Sequence, residues 1–250
     1  MSFIINPYLF AAATDADADA FISAAGITDS TQQGAIQTLV TDLKGYGIWT
    51  KMKCIYPFVG GTSNSHKYNL KDTTQYQISW FGGITHSSNG VLPGGTNGYA
   101  RNGFYYETAL SGLTPQNQHI SYYSRTNNAG GYEHSIGQLL ILRYSNGNAY
   151  YSVDGISPNG PNSNGSGFFI GTATSSTVTL YRNSTSILTG TTSSTSYGYS
   201  IYQSTLFEGD GVFGSKECAF HSIGLGLTAT ESANFNTAVQ AFQTTLSRNV

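Results

Sequence analysis

The chain has 250 residues, 10% of them charged and 39% hydrophobic, with a formal net charge of -2. Its 11 Lys and Arg are scattered, which argues against nucleic acid as a partner. No apolar run approaches the roughly 20 residues that cross a bilayer, which argues against membrane insertion, and the opening MSFIINPYLF lacks the basic start and apolar stretch of a secretory leader, so the expectation is synthesis in a cytoplasm. With 30 Gly, 18 Tyr and 13 Phe, the surface must be covered mostly by Ser, Thr, Asn, Gln and Tyr hydroxyls. A chain of this length can bury one main core with decorations.

In chain order, Phe3, Ile4, Ile5, Tyr8 and Phe10 form a short apolar segment carrying Pro7. It reads as an extended arm that docks either on its own domain as an edge strand or on a partner subunit. Asp15, Asp17 and Asp19 follow in D-x-D-x-D spacing, but a calcium loop needs Gly at its sixth position and Glu at its twelfth, where this chain has Ala20 and Gly26. The spacing favours an acidic helix start instead. A second helix is capped by Asp29 or Ser30, carries the stripe Ile36, Leu39, Val40 and Leu43, and stops at Gly45 and Gly47. That stripe must lie on a sheet, which begins in residues 48–59 with Pro57 marking an edge or strand end. Residues 60–103 are rich in Gly, Ser and Asn, with strand candidates at 76–81 and 99–101, and read as surface loops or a site.

From 117 to 224 the chain is an array of short strands at 118–125, 132–137, 138–144, 149–153, 167–172, 177–182, 185–190, 197–203 and 217–223. The breaks hold Asn146-Gly147, Asp154-Gly155, Asn159-Gly160 and Asn164-Gly165, residues suited to the positive φ of tight turns. Many short strands at this spacing predict an all-β, antiparallel sandwich or barrel. A closing helix starts at the capping box Thr228 to Glu231 and buries Phe235, Val239, Phe242 and Leu246. Cys54 and Cys218 lie far apart in apolar strand-like surroundings, which favours two buried thiols over a disulfide.

The strand HISYYSR (119–125), the run SGFFIGTATSSTVTLYRNSTSILTG (166–190) and the ending FHSIGLGLTATESANFNTAVQAFQTTL (220–246) resemble the concanavalin A-like or laminin-G-like sandwich superfamily. The resemblance implies a concanavalin A-like (jelly-roll) β-sandwich with short N-terminal helices and one C-terminal helix. Residues 20–72, together with AVQAFQTTLSRNV (238–250), look like a module of tailed-bacteriophage structural proteins. Together these imply an arm over 1–14, a helical segment with the first strand over 15–65, and a lectin-like sandwich over 66–250. They further imply a virion fibre, decoration or tail component, made in the host cytoplasm, with other virion proteins as partners, a homo-oligomeric state and cell-surface glycan as a further partner; the alternative reading is a non-catalytic carbohydrate-binding module of a bacterial glycan-handling protein, and behind it a glycoside hydrolase. Similarity of fold does not fix function.

Sugar binding needs aromatic faces with polar groups at a rim. Trp80, Tyr105, Tyr106, Tyr132, Tyr197 and Tyr199 are the aromatic candidates, each with sheet packing as its alternative. Asp154, Asn159, Asn162 and Asn164 are the polar candidates in DGISPNGPNSNG, with turn chemistry as theirs. Related hydrolases carry a Glu-x-Asp-x-x-Glu strand, whereas Glu208-Gly-Asp210 lacks the second Glu, so no catalytic residue is assigned and no enzyme is expected. His119, His134 and His221 read as structural strand residues, while His66 and His86 lie in polar stretches with no partner at metal-ligand spacing. Asp154, Glu208 and Asp210 are too few and too separated for a calcium site, so neither metal nor cofactor is assigned.

Overall fold

The computed structural model describes residues 14–135, 138–154, 156–197 and 203–250. The arm residues Phe3, Ile4, Ile5, Tyr8 and Phe10 lie outside them, as does Tyr199. The first helix, α1 (Ala16–Ala25), is capped by the Asp15 side chain accepting from Asp17 N, and Gly26 ends it at φ 65°. The acidic triplet is therefore a helix start, with Asp15 and Asp17 paired to Lys44. In α2 (Ser30–Gly45) Asp29 is the cap, and Ile36, Leu39, Val40 and Leu43 are buried. A 3-10 turn at Trp49–Lys51 then leads into the first strand.

The remaining elements are β1 (Met52–Tyr56), α3 (Ser63–His66), β2 (Ser79–Phe81), β3 (Ile84–Ser87), β4 (Gly90–Pro93), β5 (Tyr99–Tyr105), α4 (Thr108–Ser111), β6 (Asn117–Ser124), β7 (His134–Ser135), β8 (Gln138–Ile141), β9 (Asn148–Val153), β10 (Asn159–Pro161), β11 (Gly167–Thr174), β12 (Thr177–Arg182), β13 (Thr185–Thr191), β14 (Gln203–Leu206), β15 (Glu208–Gly209), β16 (Val212–Phe213), β17 (Cys218–Gly224) and α5 (Ala229–Thr245). They make two large antiparallel sheets. The first has the order β13-β12-β11-β6-β17-β4-β3 with β1 added beside β17, and the second β10-β9-β8-β7-β14-β5-β2. We call them the inner and outer sheets.

The inner sheet is apolar on both faces. Nearly every residue of β6, β11 and β17 is buried, the pattern of a sheet covered on two sides. One side, with Ile120, Tyr122, Phe169 and Ile223, packs on Ala100, Phe104, Leu140 and Tyr151 of the outer sheet. The other, with Tyr123, Phe168, Ile170 and Phe220, packs under α1, α2 and α5. Here the α2 stripe meets its sheet. The rings of Phe168, Phe220 and Phe235 meet edge to face at 5.2–5.9 Å, each pair contributing about 1 kcal/mol beyond area burial. The Thr228 to Glu231 capping box starts α5.

Several sequence expectations need correction. The Gly-rich stretch 60–103 contains the hairpin of β3 and β4, and its strands at 79–81 and 99–105 differ in extent from the predicted ones. Asn159-Gly160 is no turn: it lies in edge strand β10, and Asn164-Gly165 likewise has no positive φ. Gly147 (φ 80°) and Asp154 (φ 48°) do take the left-handed backbone. Most of the strand expected at 197–203 falls outside the described residues, and the one observed there is β14.

Cys54 and Cys218 are free and buried. Cys54 faces Ile223, whereas Cys218 faces Ser124 further down β17, and five strand residues span about 16 Å, well beyond the roughly 7 Å a disulfide allows. Arg248 is only 2% exposed and donates to the carbonyls of Phe58, Pro57 and Ala219, fastening the chain's last turn to the end of the inner sheet.

If the helices are part of the fold and not an appendage, Phe235→Ala should cost about 3–5 kcal/mol and keep a single urea transition. A second, separate transition, or a loss below about 1 kcal/mol, would show that the helical layer folds apart from the sandwich.

Candidate functional site

The outer sheet has one face in the sandwich and one turned outward. Strand β5 shows this by strict alternation: Ala100, Asn102 and Phe104 are buried, while Tyr99, Arg101, Gly103 and Tyr105 point away. On neighbouring β2, Phe81 and Ser79 point out and Trp80, opposite Ala100, points in. Phe81 lies opposite Tyr99, and their rings stack at 4.8 Å with 11° between planes. Phe81 remains 39% exposed. The Arg101 guanidinium lies 5.3 Å from the Tyr99 ring centre, and Phe213 approaches the same ring at 6.5 Å.

Phe213 comes from the small hairpin of β15 and β16, which covers part of this face. The Tyr132 ring sits on Gly209 of that hairpin, where a Cβ would come within 2.2 Å of it. Burial raises the Tyr132 hydroxyl's pKa, with Asp210 and Tyr144 adding to the effect. Tyr144 meets Tyr150 edge to face at 6.1 Å, and the Tyr150 hydroxyl accepts from Asn146 Nδ2. The outward surface is thus a run of aromatic rings and amides with little charge, the chemistry that receives a sugar's apolar face and its hydroxyls.

Of the sequence-named candidates, Trp80, Tyr132, Asp154, Asn159, Asn162 and Asn164 are spread over this sheet and its flanking loops instead of forming one cluster. Trp80 fills the seam where β2 approaches β3: its indole N–H donates to Ser63 O at 3.1 Å and its ring meets His86 at 4.6 Å. Tyr132 is half-buried beside the hairpin. Asp154 ends β9 and accepts from Ser194 Oγ. Asn159 on β10 accepts from Asn148 Nδ2 at 3.2 Å. Asn162 is buried, donating to Leu142 O at 2.5 Å, and Asn164 Oδ1 accepts from Ser166 N and Oγ. The last two are occupied by turn chemistry, and Asp154 lies at the opposite end of β9 from them, since Asn162 N donates to Gly147 O. Of the further aromatics, Tyr105 is 39% exposed whereas Tyr106 and Tyr197 belong to the core.

Sequence reasoning missed Phe81, Tyr99, Arg101 and Phe213. The signal was available in part, because alternation along 99–105 places Tyr99 and Arg101 on one face. What no local pattern gives is the pairing of β2 with β5, which sets Phe81 on Tyr99.

The histidines are largely internal. His119 Nδ1 donates to Leu225 O at 2.7 Å, and His221 Nδ1 donates to Ser121 O at 2.8 Å. His134 meets the Tyr106 hydroxyl at 3.0 Å. His66 and His86, which have no partner at metal-ligand spacing in the sequence, face each other Nδ1 to Nδ1 at 3.0 Å. Among the described residues no three His, Cys, Asp or Glu side chains converge to hold a metal ion, and no helix is long and apolar enough to cross a membrane. Glu208 and Asp210 do not form a carboxylate pair over a cleft: Glu208 Oε1 accepts from Gly211 N at 2.9 Å, and Asp210 takes φ 51° in the hairpin turn.

No family model and no curated protein matches the chain. Among solved structures, it is similar to the receptor-binding domain of botulinum neurotoxin C/D mosaic serotype, with TM-score 0.53 and 11% identity over 76% of this chain and 52% of that one. It is similar also to the botulinum neurotoxin serotype D binding domain, with TM-score 0.51 and 11% identity over 76% of this chain and 52% of that one. The fold is an antiparallel β-sandwich. A further similarity is to domain 4 of AbnA, a GH43 extracellular arabinanase from Geobacillus stearothermophilus, in complex with arabinotriose, with TM-score 0.49 and 12% identity over 74% of this chain and 98% of that one. The chain spans about half the length of the toxin chains it matches, and at such identities what the sandwich shares with them is its fold.

Burial in this sandwich predicts acid sensitivity. It lowers His66 and His221 to about 3 and His119 to about 4, with the neighbours His86 and Arg248 adding to the effect at His66, and it lowers His134 well below the ordinary value. Above the unfolded value near 6.5 both states are neutral at these sites; below it the unfolded chain takes protons that the folded one refuses. From the histidines, stability should therefore be constant between about pH 7 and 8 and fall below that with a limiting slope of roughly 5 kcal/mol per pH unit from the four of them, unfolding the domain near pH 4–5. Urea midpoints measured across this range would check it; a flat profile from pH 7 to 5 would contradict it.

Proposed function

We propose that the protein is a non-catalytic binding domain that takes carbohydrate on the outward face of its outer sheet. The observation that carries this is the stacked and partly exposed pair Phe81 and Tyr99, on a sheet face that the helices leave free. Stacked on Tyr99, the Phe81 ring is held on its strand with its outer side exposed, an apolar surface without an ordering cost, and the neighbouring amides offer hydrogen bonds to hydroxyls. Two further observations favour binding over catalysis: Glu208 and Asp210 serve a turn, and the histidines serve the core. The neurotoxin domains of similar fold are by name binding and receptor-binding domains, which accords with this reading.

The resemblance of residues 20–72 and 238–250 supports a place on a tailed-phage virion, as a fibre, decoration or tail component. There the arm of Phe3, Ile4, Ile5, Tyr8 and Phe10 would join copies of the chain or other virion proteins. Deleting residues 1–13 should then abolish oligomers in light scattering without moving the thermal transition; oligomers that persist would refute the role of the arm.

On a glycan array, the intact chain should bind at least one saccharide class. Phe81→Ala and Tyr99→Ala should each weaken that binding about five- to ten-fold, with thermal midpoints kept, because both rings face outward. Binding unaffected by both substitutions would move the site elsewhere, and an array without signal would refute the carbohydrate reading.

A further inference from the structure

We infer that Arg101 makes the Phe81 and Tyr99 platform selective for a carboxylate-bearing saccharide, a uronic or other acidic sugar. This rests on the binding reading above and adds the class of ligand.

The seven strands of the outer sheet contain only one Asp, Glu, Lys or Arg, and it is Arg101. It points outward from β5, opposite Ser79 of β2 and Thr205 of β14, both neutral. Among the described residues no carboxylate lies within ion-pair distance of it, as also holds for Lys53, Lys67, Lys71, Arg143, Arg182 and Arg248, whereas Lys44 has two such partners and Lys51, Arg125 and Lys216 one each. Its guanidinium is held over the Tyr99 ring. A guanidinium against an aromatic face loses part of its freedom before any ligand arrives and keeps its donors for a planar, bidentate acceptor.

The most economical alternative is a solvated arginine that protects the sheet from aggregation. That role is met best by a cation on the sheet's edge. Arg101 lies instead on an interior strand, with β2 on one side and β14 on the other, beside the exposed ring pair. The position allows a sugar ring to lie against the exposed Phe81 of the stacked pair while its carboxylate is taken by the guanidinium beside Tyr99. Glu208, on the strand paired with Phe213, does not oppose this directly, since its carboxylate is turned back to Gly211 N.

The test compares matched probes on the intact chain: trigalacturonate with its carboxyl-reduced counterpart, and sialyllactose with lactose. At low salt, at least one acidic member should bind about ten-fold more tightly than its neutral partner, and about 0.5 M salt should erode the preference. Arg101→Gln should level that pair to within about two-fold, the acidic member losing several-fold more affinity than the neutral one, and Arg101→Lys should retain part of the preference. Equal binding of both members by the unaltered chain would overturn the acidic assignment and leave the carbohydrate reading intact. A preference that survives Arg101→Gln would overturn the role of Arg101, and no binding of any probe would overturn both inferences.

Discussion

The structure depends on a sheet that is apolar on both faces. Strands β6, β11 and β17 put Tyr122, Phe169 and Ile223 on one side and Tyr123, Phe168 and Phe220 on the other, and neither set can be left in water. At roughly 1.5–3 kcal/mol for each large side chain removed from solvent, the second face demands a cover as strongly as the first. The second sheet covers one and the helices cover the other. The resulting order is helices, inner sheet, outer sheet, and this places the one outward sheet face on the side opposite the helices.

That geometry explains why a binding surface belongs on the outer sheet. Its strand β5 buries only alternate residues, so Tyr99, Arg101 and Tyr105 are free of the core while Ala100, Asn102 and Phe104 are buried. The interior itself carries polar groups, four histidines among them. Tyr106 meets His134, and His134 stacks on His221 at 5.4 Å. Such groups are tolerated because most find partners, and they link the two sheets in one register more specifically than aliphatic side chains would. The same groups make the fold dependent on neutral histidines. The buried ion pair of Lys216 and Glu133, at 2.7 Å, adds a second polar tie between the loop before β7 and the chain entering β17.

The fold was legible in the chain because its local signals agree with one another. The capping residues Asp15, Asp29 and Thr228 marked the helices, and the apolar stripes marked their buried faces. The strand array was legible from 117 to 191 because Asn-Gly and Asp-Gly breaks punctuate it, even though Asn159-Gly160 became an edge strand once it could pair with β9. The hairpin of β3 and β4 was hidden by composition: its Gly, Ser and Asn residues read as loop, and only pairing across the sheet makes them strands. The site was less legible. Trp80 was named for its ring, but the direction it faces is set by its register against Ala100, a partner twenty residues away. Asn162 and Asn164 were named for their amides, which backbone groups already use, Leu142 O across the fold for one and the nearby Ser166 N for the other. Phe81 and Tyr99 gain meaning only together, and long-range pairing brings them together.

The most direct test of this account is hydrogen exchange on the intact chain, mapped with and without a saccharide that binds it. Protection confined to β2, β5 and the hairpin of β15 and β16 is the predicted result. Protection on α1, α2 and α5, or at the far edge formed by β12 and β13, would contradict the claim that the helices leave the outer sheet as the binding face.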